Sequence, residues 1–184
     1  MMKLRLKPLH DVFAAEARGI ALKRPPSLSD VRDIHAAMNE HAVLVFRQQP
    51  LTPQQQLDFA MAFGPLDIGL KHVLKGTGRL ADDRLLDISN VDGQGQIAPR
   101  DSPKNLSSFA NQLWHSDSSF MKPRAAYSML HCVVKPSWGG NTEFADLRNA
   151  YDTLDERTRI EIQNLQAEHY ALHTRVLLGA DAYT

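Results

Sequence analysis

Trp114-His115-Ser116-Asp117-Ser118-Ser119-Phe120 places an imidazole and a carboxylate two residues apart. The stretch reads as part of a β-sheet, with strand-like patterns over residues 112–116 and again over 126–134. Side chains on a strand alternate between faces, so His115 and Asp117 would point the same way. Two readings follow from the pair alone. In one, the two groups satisfy each other by a hydrogen bond or salt bridge, or simply face solvent. Two common residues at a single spacing recur by chance in many proteins. In the other they grip one metal ion, which would neutralise a carboxylate set between Trp114 and Phe120, where burial without a partner is costly.

Composition narrows the setting. The 184 residues suffice for one domain with a real core. Lys+Arg and Asp+Glu balance at 21 each, and no basic run or stripe appears. That argues against nucleic acid or an anionic membrane surface as partner. Cys132 is the single cysteine, so no intramolecular disulfide can form and a reducing, cytoplasmic compartment is expected. The amino terminus, Met1-Met2-Lys3-Leu4-Arg5-Leu6-Lys7, carries charge where a signal peptide needs an apolar core. The apolar run Ala42-Val43-Leu44-Val45-Phe46 is too short to span a bilayer.

Along the chain, Pro25-Pro26 closes an irregular arm, and Ser27 or Ser29 caps a helix carrying Val31, Ile34 and Met38. The apolar run that follows is predicted to be a buried strand. Thr52, Pro53 and Gln55 have the pattern of an N-cap, a first helical position and a capping box. The second helix carries Leu57, Ala60 and Met61 and stops at Gly64-Pro65. Residues 85–91 read as a strand. Residues 92–108, with Gly93, Gly95, Pro99 and Pro103, form a long loop, either a surface loop or a lid over a site. A Gly139-Gly140 turn leads into Asn141-Thr142-Glu143-Phe144, and helices are predicted over 147–154 and 156–165. The whole is an α+β chain built on an antiparallel sheet.

Other candidate groups are weaker. His169 and His173 lie four apart, a usable zinc spacing on a helix, but their surroundings lack helical periodicity and a third ligand. Thr142 could donate to a carboxylate, or be a β-branched residue where strands favour one. Cys132, beside Val133 and Val134, reads as a small core residue.

A His and a carboxylate are two thirds of the facial triad that holds non-haem Fe(II). The ordered segments around them carry a resemblance. They are Val43-Leu44-Val45-Phe46-Arg47, Phe63-Gly64-Pro65-Leu66, Asp87-Ile88-Ser89-Asn90-Val91, Asn111 through Phe120, Gly139 through Asp146, and Glu168-His169-Tyr170-Ala171-Leu172. Together they resemble the Fe(II)- and 2-oxoglutarate-dependent dioxygenases of the taurine dioxygenase family, and within it the 2,4-dichlorophenoxyacetate, herbicide-degrading branch.

The resemblance implies a single catalytic domain over residues 1–184, with a double-stranded β-helix (jelly-roll) core of the clavaminate synthase type, incomplete at its carboxyl end. It implies His115 and Asp117 as iron ligands and Thr142 as a contact to the distal carboxylate of 2-oxoglutarate. His72, Asn111 and Ser118 fall at positions lining the substrate pocket, and residues 92–108 at the lid over it. Fe(II) would be the metal, 2-oxoglutarate the co-substrate, and dioxygen with a small anionic organic molecule the partners. The reaction implied is hydroxylation of an aryloxyalkanoate with ether cleavage. A taurine-type sulfonate, or a non-catalytic remnant of the fold, is the alternative. Family members extend about a third further. That portion carries a distal iron-binding histidine and a cofactor arginine, which neither His169, His173 nor Arg175 replaces. The chain therefore reads as an amino-terminal fragment, expected to turn over little or nothing alone. Family members often associate, which leaves a homo-oligomer open.

Overall fold

The computed structural model describes residues 3–67, 79–80, 82–100, 102, 105 and 113–170. The chain divides into two compact units, Met1–Pro65 with Met129–Gln166, and Leu66–Ser128 with Ala167–Thr184.

The first unit holds a three-stranded sheet of order β1-β2-β3: β1 (Arg5–Pro8), β2 (Ala15–Arg18) and β3 (Leu44–Val45). β1 and β2 are antiparallel, whereas β2 and β3 are parallel. The sheet is thus mixed rather than antiparallel. The reason is connectivity: α1 (Leu28–His41) lies between β2 and β3 and supplies the crossover that a parallel pair needs. The arm before Pro25, expected to be irregular, contributes two of the three strands. Gly19 follows β2 at φ +93°, and a Cβ there would come within 2.6 Å of the Lys3 carbonyl oxygen.

Ser27 caps α1: its hydroxyl accepts from the Asp30 N–H, and the Asp30 carboxylate accepts in return from the Ser27 N–H. Ala42 ends the helix at φ +59°, donating its N–H to the Met38 carbonyl at 2.8 Å. That left-handed backbone cannot join a strand, so the apolar run yields only Leu44 and Val45 to the sheet. α2 (Pro53–Met61) begins as its sequence requires, with Thr52 and Gln55 completing a reciprocal capping box around Pro53. Ile20, Leu22, Ile34 and Phe59 form the core, with Met38, Leu44, Phe46 and Phe63 against it. Leu57, 2% exposed, is the most fully buried large side chain among the described residues.

β2 buries one charge, the Glu16 carboxylate, beneath two guanidinium groups. Arg18 Nε donates to Oε1 at 2.6 Å, and Arg47 Nε lies 3.4 Å from Oε2. The hydrogen bond from Arg18 holds the Glu16 carboxyl below the usual carboxylate range against the opposing effect of burial. The folded chain therefore binds fewer protons here than the unfolded chain. The stability from Glu16 is complete above its unfolded pKa of about 4.3 and is lost as pH falls toward the lower folded value. Glu16→Gln is expected to flatten the fall in unfolding free energy below about pH 5, measured by urea titration at stepped pH. An unchanged acid slope would contradict this.

α3 (Leu147–Asp152) and α4 (Glu156–Ile162) start at Asp146 and Asp155, whose carboxylates accept from the N–H groups of Arg148 and Thr158. Both helices fall within the spans predicted from the sequence. The guanidinium of Arg148 bonds both Asp146 oxygens and reaches the carbonyls of Asn39 and Glu40 at the end of α1. Cation meets helix carboxyl end there, a favourable arrangement. The Arg148 hydrogen bond in turn holds the Asp146 carboxyl below its ordinary range.

Among the described residues the second unit is built from turns. Residues 85–91 form no strand; only Val91 pairs, through an isolated antiparallel bridge to Ile97. Asp92 Oδ1 closes that turn by accepting from the N–H groups of Gln94 at 2.9 Å and Gln96 at 2.8 Å. Asn105 Nδ2 donates to the carbonyls of Ala98 and Pro99, and Ala98 is buried. Residues 113–116 carry no ladder either, nor do residues 126–134, of which 129–134 belong to the first unit, because no neighbouring strand lies beside them among the described residues. Cys132 is accordingly exposed rather than in a core. No helix among the described residues is long and apolar enough to cross a membrane.

Candidate metal and cofactor site

His115 and Asp117 meet, although not on a paired strand. Residues 114–116 are irregular and 117–120 form a turn. His115 Nε2 lies 3.3 Å from Asp117 Oδ1. The side chains are 44% and 59% exposed, so burial between Trp114 and Phe120 does not force the carboxylate to find a partner, and Trp114 itself is exposed. Geometry has to carry the argument instead.

His115 Nδ1 sits 2.7 Å from the Leu113 carbonyl oxygen. A carbonyl only accepts, so Nδ1 carries the proton, and in a neutral ring the lone pair is on Nε2. That lone pair faces a carboxylate oxygen. Two acceptors at this distance repel unless a proton or a cation lies between them. A proton makes an imidazolium–carboxylate pair, and a metal ion makes a chelate. Two donor atoms each about 2.1 Å from one ion stand roughly 3.0–3.4 Å apart when they subtend 90° to 110°. The observed separation lies inside that interval, so the donor set fits a divalent ion such as Fe(II). The second oxygen, Asp117 Oδ2, accepts from the Ser128 hydroxyl at 2.8 Å. Each side chain is thus anchored through the atom that does not face the other, an arrangement also common in metal-binding histidines and carboxylates.

Ser118 follows Asp117 at φ +53°, an uncommon backbone for a residue with a side chain, and its hydroxyl donates to Asp67 Oδ2 at 2.9 Å. Thr142 is exposed in the first unit, two residues beyond a Gly139-Gly140 turn with both φ angles near +69°. Its hydroxyl makes no hydrogen bond among the described residues. Asp146, four positions on, fixes the end of that segment to α3 and α1 through Arg148. His72, Asn111, His173 and Arg175 lie outside the described residues. His169 is exposed. Among the described residues no three His, Cys, Asp or Glu side chains cluster as a complete metal site.

Two groups escaped sequence reasoning: the Leu113 carbonyl and the Ser128 hydroxyl. The carbonyl has no side-chain signal, and Ser128 reaches Asp117 across eleven positions with no motif to mark it.

The family described as taurine catabolism dioxygenase TauD, TfdA matches residues 5–182. The chain is 48% identical over 183 residues to the alpha-ketoglutarate-dependent 2,4-dichlorophenoxyacetate dioxygenase of Cupriavidus pinatubonensis, covering all of this chain and 64% of that protein. It is 34% identical over 178 residues to the (S)-phenoxypropionate/alpha-ketoglutarate-dioxygenase of Sphingobium herbicidovorans, covering 95% of this chain and 56% of that protein. The crystal structure of AAD-2 in complex with Mn(II) and N-oxalylglycine matches all of this chain and 61% of its own, with a TM-score of 0.82 at 36% identity. The chain thus spans less than two thirds of the length of these relatives.

Proposed function

This chain belongs to the taurine catabolism dioxygenase (TauD, TfdA) family, and from that premise we propose that the whole protein is an Fe(II)- and 2-oxoglutarate-dependent dioxygenase. Its substrate is a small anion, an aryloxyalkanoate such as 2,4-dichlorophenoxyacetate. The observation that carries the chemistry is the 3.3 Å approach of His115 Nε2 to Asp117 Oδ1, with each side chain anchored from its far atom. The identity to a 2,4-dichlorophenoxyacetate dioxygenase supports the substrate class.

His115 and Asp117 would hold the iron, together with a third protein ligand from outside this chain. Dioxygen would be the oxidant, one of its oxygen atoms converting a substrate C–H bond to C–OH and the other oxidising 2-oxoglutarate to succinate and carbon dioxide, with the bound iron supplying the redox centre. The Thr142 hydroxyl donates to the far carboxylate of 2-oxoglutarate. His72, Asn111 and Ser118 line the substrate pocket under residues 92–108, which act as its lid. The Ser118 proton is engaged by Asp67, so Ser118 contributes shape rather than a donated hydrogen bond. Hydroxylation at the carbon bearing the ether oxygen gives a hemiacetal, which collapses to a phenol and an aldehyde. The complete fold is a double-stranded β-helix, in keeping with the likeness to AAD-2, and the protein works in the cytoplasm.

The test is a chimera in which the part of the Cupriavidus relative that this chain does not span is joined to it. Supplied anaerobically with Fe(II) and 2-oxoglutarate, then with dioxygen, it is expected to release succinate and 2,4-dichlorophenol in equal amounts from 2,4-dichlorophenoxyacetate. Faster succinate release with taurine would overturn the substrate assignment. A soluble, folded chimera producing no succinate from either would overturn the enzyme reading.

A further inference from the structure

We propose that Ser128 is a positioning residue that keeps Asp117 a one-oxygen ligand; the inference rests on the iron reading above. A carboxylate turns easily about its last bond and can present one oxygen or two to a cation. The difference matters here. Three protein ligand atoms leave three positions of a six-coordinate iron, and 2-oxoglutarate with dioxygen needs all three. A second oxygen from Asp117 would take one of them.

The structure supplies the restraint. Ser128 Oγ donates to Asp117 Oδ2 at 2.8 Å, while Oδ1 is the oxygen turned to His115 Nε2. A hydrogen bond from a neutral hydroxyl to a charged oxygen is among the stronger kinds, and it holds the carboxylate against the rotation that would bring Oδ2 onto the metal. Burial does not impose the contact, since both residues are exposed and water could satisfy either. The Leu113 carbonyl does the equivalent work for His115, fixing the ring through Nδ1 and leaving Nε2 free. The two restraints together present one nitrogen and one oxygen.

The experiment loads the chimera described above with Mn(II), at saturation for each variant, and counts exchangeable waters on the bound ion by pulsed EPR in ¹⁷O-enriched water. Ser128→Ala and Ser128→Val are expected to lose one water relative to the parent as Asp117 Oδ2 moves onto the metal. Ser128→Thr, matched to valine in shape but keeping the hydroxyl, is expected to retain the parent count. Circular dichroism checks that each variant is folded, and the Thr–Val pair isolates the hydroxyl if alanine disturbs the turn. Equal counts in parent and valine variants, or equal loss in threonine and valine, would overturn the role of Ser128 while leaving the iron reading intact. A folded parent chimera that takes up no Mn(II) would overturn both.

Discussion

Asp117→Ala is expected to weaken Mn(II) binding by more than about 100-fold, since changing even the partners behind metal ligands costs 10- to 100-fold. Asp117 supplies the only negative charge of the described pair, and Oδ1 lies 3.3 Å from the other donor atom. His115→Ala should have a comparable effect by removing the nitrogen. Asp117→Asn keeps the shape and an acceptor but loses the charge, and it should fall close to alanine. Titration followed by the EPR signal of free Mn(II) measures all three. The competing arrangement, an imidazolium bonded to a carboxylate, gives a different result. There the ion has no dedicated site, and each variant would bind Mn(II) within about threefold of the parent.

Leu57→Ala carries the largest expected effect on stability, a loss of about 2–5 kcal/mol in urea unfolding. Leu57 is 2% exposed on α2, so truncation removes apolar surface from a packed site and leaves a cavity that its neighbours fill only in part. Trp138, 92% exposed despite its size, provides the contrast. Trp138→Ala should change stability by less than about 0.5 kcal/mol. If the two substitutions had similar effects, the burial of Leu57 in a packed site would be wrong.

The local rules were legible wherever the determinant is local. Thr52-Pro53-Gln55 predicts a capped helix start, and the same three residues make it. Ser27 in preference to Ser29 could not be chosen from sequence, because either serine could open the helix; the reciprocal bond with Asp30 decides it. Strands were legible less often because a strand is defined by its neighbour. Ala15-Glu16-Ala17 gives little β-propensity, yet it forms the middle of the sheet, its charge met by Arg18 and Arg47. Residues 126–134 are rich in apolar side chains but have no ladder partner among the described residues, and Val133 and Val134 remain about four-fifths exposed. The His-x-Asp spacing anticipated that these two side chains lie close together, 3.3 Å apart, but by an incomplete argument. The side chains converge through an irregular stretch and a turn rather than through strand alternation. Family membership was legible because many ordered segments agree with it. Ser128 was not, because nothing near it in sequence announces the carboxylate it reaches.

The central claim is that His115 and Asp117 are ligands to one metal ion. Pulsed EPR of the Mn(II)-loaded chain, prepared with ¹⁵N-labelled histidine, tests it most directly by reading nitrogen coupled to the bound ion. The account predicts a coupling from a directly bound imidazole nitrogen in the parent, retained in His169→Gln and absent in His115→Gln. The same coupling persisting in His115→Gln would contradict it.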